Sequence, residues 1–107
     1  MKNMNKLVLQ ALAGMSLLAA NTAQAADPAA GAQKFETCLG CHGVPHYVNA
    51  YPTYHVPKLG GQHEAYIVAA LKAYKEKQRS HGTMHANAAS LSDEDIADIA
   101  AYLSSSK

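Results

Sequence analysis

The chain has 107 residues, nine basic and eight acidic side chains for a formal net charge of +1, two cysteines, one Phe and no Trp. A chain this short makes one small domain and buries relatively little of its surface, so a core built from its own side chains would be marginal. The near-neutral balance excludes a nucleic-acid footprint, which needs a marked basic excess, and two cysteines cannot alone supply the four ligands of a structural zinc site.

Lys2 and Lys6 open the chain with positive charge, Leu7 to Ala20 is an apolar run broken only by Gln10, Gly14 and Ser16, and Ala23-Gln24-Ala25 places small residues where a signal peptidase reads. The run falls short of the roughly 20 residues that a membrane span needs. Residues 1–25 are therefore expected to be a signal peptide and residues 26–107 the exported domain, with no membrane insertion after cleavage; an uncleaved anchor is the alternative. Without Lys2 and Lys6, seven basic side chains face eight acidic ones, a net charge of −1.

Asp27 is a good N-cap and Pro28 suits the first helical position, where its missing N–H costs nothing. The first helix is predicted from Pro28 towards Cys38, with Gly31 and Phe35 on one face. It leads into Cys38-Leu39-Gly40-Cys41-His42, the pattern of a c-type haem attachment site. Two thiols three residues apart can add across the two vinyl groups of one haem, and the histidine that follows is then held against the iron as an axial ligand. Three other readings compete. A zinc site would have to recruit His42 and a distant histidine. A redox pair calls for a βαβ setting that the chain lacks, and a disulfide across two residues leaves His42 without a role.

Residues 43–61 are predicted to be an irregular loop, rich in Pro, Tyr and Gly. A loop this long inside a small domain needs a reason, and wrapping one edge of a haem supplies one. Its three tyrosines and two histidines are candidates for contacts with that edge. The second helix is predicted from near His63 to near Ser80, with Ile67, Ala70, Leu71 and Tyr74 at one-face spacing and Lys72, Lys75 and Arg79 mostly on another. That basic stripe suits the negative end of the helix dipole and a solvated face, or a docking patch for an acidic redox partner. Ser92-Asp93-Glu94-Asp95 announces the third helix, with an N-cap serine before three acids and Asp95 replacing the Glu of a capping box. Ile96, Ile99, Ala100 and Leu103 give it an apolar stripe. No strand is predicted. The fold expected is all-α, three main helices and loops wrapped around one covalently bound haem.

Gly31 and Phe35, the Cys38-to-Gly43 segment, Val56-Pro57-Lys58-Leu59-Gly60-Gly61-Gln62, the Met84 region and the Leu91-to-Leu103 helix together resemble a class I c-type cytochrome. The form most similar is the small bacterial single-haem one, like one half of the di-haem periplasmic cytochromes. The resemblance covers nearly all of residues 26–107. It implies thioethers at Cys38 and Cys41, His42 as proximal ligand, and the Pro57 carbonyl as acceptor of a hydrogen bond from that histidine. It also implies that Gly31 and Phe35 pack across the last helix, against Tyr102 and Leu103. Met84 is the only methionine beyond residue 25, and the family's His/Met ligation makes it the expected sixth ligand, with His81 and His85 as close competitors.

These readings converge on a periplasmic electron carrier with one covalent haem c and His42/Met84 ligation. No catalytic residue of its own is expected, since the cofactor carries the chemistry. Its partners would be redox proteins met transiently, and the chain is expected to be a monomer. The alternatives are a haem c enzyme or gas sensor with a labile sixth position, and a cytochrome subunit of a periplasmic dehydrogenase. An apolar cleft between His42 and Met84, lined from Leu59, Ile67, Leu71 and Leu91, is expected in any of these.

Overall fold

The computed structural model describes residues 25–107. The expected signal peptide lies outside the described residues, apart from Ala25. Helix α1 spans Pro28–Phe35, a 3-10 turn covers Glu36–Cys38, and α2 is the single turn Leu39–His42. Strands β1 (Val48–Ala50) and β2 (Thr53–His55) follow, then α3 (Glu64–Lys75), α4 (Gly82–Ala88) and α5 (Asp93–Ser105).

Helix α1 starts as the sequence predicts. The Asp27 carboxylate accepts the Ala29 amide at 2.9 Å and Pro28 occupies the first turn. Helix α5 carries the full reciprocal cap: Ser92 Oγ accepts the Asp95 amide at 3.0 Å, and the Asp95 carboxylate accepts the Ser92 amide at 2.9 Å. The shorter aspartate thus closes a capping box usually built with glutamate.

Helix α5 is the central element, packed on α1 along one side and on α3 along another. Phe35, Ile67, Ile99, Ala100 and Leu103 form the buried cluster. Gly31 sits where α1 and α5 touch: a β-carbon there would lie 1.9 Å from the Asp98 carbonyl oxygen. Gly31 therefore meets Asp98 and Ile99, one turn before the residues expected, while Phe35 reaches Tyr102 with ring centroids 5.9 Å apart.

Three sequence predictions need correction. The long loop contains an antiparallel hairpin in which Val48 pairs with His55 and Ala50 with Thr53. Its turn is pinned by Asn49 donating to the Pro52 carbonyl at 2.8 Å and by Thr53 Oγ1 donating to the Ala50 carbonyl at 2.9 Å; three-residue strands are too short to show a period of two. The second helix ends at Lys75, not near Ser80. There the Lys77 amide donates to Tyr74 O and the Gln78 amide to Ala73 O, while Lys77 takes φ +59°. This is the Schellman stop, whose left-handed residue is usually glycine; a lysine there hides the signal. The Met84 region, outside the three helices expected, is helix α4. His81 caps it by accepting the Met84 amide on Nδ1 at 3.2 Å, a job usually given to Ser, Thr, Asp or Asn.

Asp98 is 3 % exposed, the one buried charged residue among those described. Its carboxylate accepts the Asp27 amide at 2.8 Å and pairs with Lys34 Nζ at 2.7 Å, and Lys34 also reaches Asp95 at 2.9 Å. Bonds to the Lys34 ammonium and then to the Asp27 amide hold the Asp98 carboxyl below the usual carboxylate range. Lys34 and the Ser92 cap lower Asp95 to about 2. Hydrogen bonds to Asp98 and Asp95 push the Lys34 ammonium up.

Candidate haem site

The attachment motif bridges two short helical segments. Cys38 closes the 3-10 turn and packs against the buried cluster, and Cys41-His42 ends α2. Both cysteines are free and half-buried. Three residues apart on helical backbone, they share a face, while Leu39 between them is 45 % exposed. That puts both thiols on one face, Cys38 against the buried cluster, with the linker outward, the disposition two thioether bonds to one ring require.

His42 Nδ1 lies 2.9 Å from the Pro57 carbonyl oxygen. A carbonyl only accepts, so Nδ1 carries the hydrogen and Nε2 keeps its lone pair for a metal. Such a partner fixes tautomer and ring orientation and raises ligand basicity. Pro57 is placed by the chain around it. Val56 donates to Tyr47 O at 3.0 Å, extending the hairpin ladder, and the Gly61 amide, at φ +82°, donates to Leu103 O at 2.9 Å at the end of α5. The carbonyl that orients the histidine is thereby anchored to both the hairpin and the last helix.

Met84 lies half-buried on α4, and the two competing histidines are committed to other bonds. His85 Nδ1 donates to the Tyr74 carbonyl at 2.9 Å, tying α4 to α3. His81 holds the helix cap and stands edge-on to Tyr54 at 4.6 Å and to Tyr74 at 6.2 Å between ring centroids. Of the four side chains expected to line an apolar cleft, Ile67 is buried in the cluster. Leu59, Leu71 and Leu91 are only partly buried and pack on its edge, an apolar border that protein covers incompletely and that a porphyrin face would suit. A concavity of about 460 Å³ lies elsewhere, between the start of α1 and α5 around Ala30, Lys34 and Ala97.

The competing readings of the motif lose support. Among the described residues no group of three or more His, Cys, Asp or Glu side chains is placed to hold a metal ion, which leaves zinc without a ligand set, and the free thiols do not form the disulfide. Each residue of the basic stripe has a partner close by, Lys75 in a part-buried bond and Arg79 and Lys72 at the surface. Lys75 donates to the Leu91 carbonyl, and Arg79 lies 4.8 Å over the Tyr74 ring and donates to the Tyr66 hydroxyl at 3.3 Å. Lys72 faces Asp93 at 3.9 Å.

The sequence reading names Cys38, Cys41, His42, Pro57 and Met84, and Tyr54 only as one of three loop tyrosines facing the haem edge, but not Asp98 or Lys34. Two residues on from Ile96, Asp98 falls about 200° away around the helix, where solvent would be expected; α1 covers that side. The hairpin carries Tyr54 to His81, a contact that the loop sequence does not show.

A half-buried thiol pair on one helical face, a histidine oriented by a backbone carbonyl and an incompletely covered apolar border define a covalent haem site in a small helical domain. The chain belongs to the cytochrome c family, whose pattern residues 28–107 match. Among its relatives is cytochrome c-554(548) of Halomonas halodenitrificans, 49 % identical over 84 residues that cover 76 % of this chain and 98 % of that protein. Cytochrome c4 of Pseudomonas aeruginosa is 38 % identical over 104 residues, 97 % of this chain but 50 % of its own length. The crystal structure of reduced recombinant cytochrome c4 from Pseudomonas stutzeri superposes with a TM-score of 0.57 at 30 % identity, covering 77 % of this chain and 50 % of that one. The chain thus spans about half the length of the cytochromes c4 and nearly the whole of the shorter relative. It is an electron-carrier cytochrome with covalent haem c, its attachment motif at Cys38, Cys41 and His42.

Proposed function

We propose that this cytochrome is an exported, periplasmic, one-electron carrier, monomeric, with His42 and Met84 as axial ligands and Cys38 and Cys41 as thioether anchors. Residues 1–25 serve as its signal peptide and leave after Ala25. The observation that carries the reading is the 2.9 Å bond from His42 Nδ1 to the Pro57 carbonyl, which presents Nε2 as a fixed ligand beside the two free thiols. Haem iron supplies reversible one-electron chemistry, and pairing histidine with methionine raises its potential relative to two nitrogen ligands. The chain's part is to hold both axial positions filled, so that oxidation state changes with little rearrangement and no site opens to substrate. Among the described residues no helix is long and apolar enough to cross a membrane. Donor and acceptor meet it in transient contacts of under about 1,200 Å².

Carbon monoxide added to the ferrous protein tests the filled sixth position, and the far-red charge-transfer band of sulfur-bound ferric haem tests the methionine. We expect no prompt carbon monoxide adduct, and a far-red band at neutral pH that Met84→Ala abolishes. Prompt binding would favour an enzyme or sensor, and persistence of the band in Met84→Ala would mean the ligand is misassigned.

A further inference from the structure

The tyrosines and histidines outside the attachment motif find a common use around α4. We propose that Tyr54, His81 and His85 are positioning residues for Met84, bracing its helix against the hairpin on one side and α3 on the other and so setting how readily the methionine leaves the iron. This inference rests on Met84 ligation.

Three independent contacts converge on one short helix. His81, just before Gly82, accepts the Met84 amide itself on Nδ1 at 3.2 Å, so it fixes the backbone of the proposed ligand directly. Its ring stands edge-on to Tyr54 of β2 and Tyr74 of α3. Tyr54 adds a second tie, its hydroxyl donating to Thr83 Oγ1 at 3.3 Å. His85, the residue after Met84, donates from Nδ1 to the Tyr74 carbonyl at 2.9 Å. Met84 is thus held from both sequence neighbours' directions, and Tyr74 serves both histidines, one through its ring and one through its carbonyl.

A seven-residue helix is two turns long and does not hold itself together in water. Its position has to come from what it touches. The two histidines also adopt opposite tautomers. His81 uses its Nδ1 lone pair on the cap, so its remaining hydrogen is on Nε2 and the neutral ring has no free lone pair for iron. His85 carries its hydrogen on Nδ1, bonded to Tyr74, and moving to the iron would surrender the tie between α4 and α3. Bracing and exclusion of the rival ligands are therefore one arrangement.

The test uses the full holoprotein in five forms: wild type, His81→Ala, His81→Asn, His85→Ala and His85→Gln. Binding of exogenous imidazole to the ferric form is measured beside the far-red band, with covalent haem content and helix content as controls. Losing one hydrogen bond should speed imidazole binding by up to about tenfold in each alanine variant and weaken the band, with haem content unchanged. His81→Asn restores a capping acceptor and His85→Gln a donor, so both should return towards wild type; a merely space-filling role would show no such rescue. Alanine variants that bind imidazole at the wild-type rate, or rescue variants no better than alanine, would overturn the proposal. If an alanine variant does not accumulate with haem, Tyr54→Leu is read in the same way, since it removes the His81 edge contact and the Thr83 bond from outside α4. A wild type lacking the far-red band would remove the underlying methionine ligation instead, which separates the two failures.

Discussion

Replacing Gly31 by alanine should destabilise the protein although alanine is the better helix former. In an exposed helix interior the exchange stabilises by about 1 kcal/mol. Here the added β-carbon would stand 1.9 Å from the Asp98 carbonyl oxygen, 2.4 Å from its carbon and 3.0 Å from the Ile99 nitrogen. Ordinary contact begins near 3.4 Å, so α1 and α5 must separate by about 1.5 Å, and the obstacle is backbone that no rotamer change can move. Separation would also stretch the bonds from Asp27 and Lys34 to Asp98, now 2.8 and 2.7 Å. Overpacking typically costs about 1–3 kcal/mol, and a clash with main chain belongs at or above the upper end. Set against the propensity gain, a net loss of about 2 kcal/mol remains, which lowers Tm by roughly 8–16 °C for a domain of this size. Thermal unfolding of the holoprotein, followed by far-ultraviolet circular dichroism, reads this directly. Gly82→Ala is the control, because its methyl group meets nothing within 4 Å. A Gly31→Ala protein as stable as wild type would refute the close-packing argument.

Lys34→Met should cost stability in a pH-dependent way. Asp95 and Asp98 have lowered pKa values, so their contribution is complete above the ordinary 3.8 and is lost as pH falls through the folded values, about 2 for Asp95. Lys34 is raised, so its contribution is complete below 10.5 and declines above it. The stability difference between wild type and Lys34→Met, measured by urea unfolding, should be flat from pH 5 to 10 and shrink towards pH 2; a difference unchanged at pH 2 would sink the ion-pair account. Cys38→Ala and Cys41→Ala should each strongly reduce covalent haem and yield little folded protein, because the side-chain core is small. A haem-free double mutant with native helix content would contradict that. The intact mass of the exported protein should correspond to residues 26–107, and a mass retaining residues 1–25 would show an uncleaved anchor.

What could be read in the sequence was whatever is written in side-chain type at short range. The Ser92 and Asp95 cap, the Asp27-Pro28 start and the Cys38-to-His42 motif each fit within a few residues, and each appears in the fold as expected. The Pro57 carbonyl lies fifteen residues from His42 and was reachable only through the family resemblance, since a backbone acceptor leaves no mark in side-chain chemistry. The stop of α3 was hidden because Lys77 occupies a left-handed position usually given to glycine. The α4 helix was hidden because a histidine caps it. Asp98 was hidden for a tertiary reason: only the approach of α1, permitted by Gly31, turns an outward position inward.

The main helix pair joins the two ends of the described chain. Asp27 and Asp98 are 71 residues apart yet share a hydrogen bond, and α1 has its principal partner in α5. A polypeptide that emerges from its N-terminus therefore cannot close its core until the final helix has appeared. Cys38 and Cys41 follow α1 directly, and during that interval they belong to an open segment with nothing packed over them. The order of emergence brings both cysteines out before the helix that closes the core.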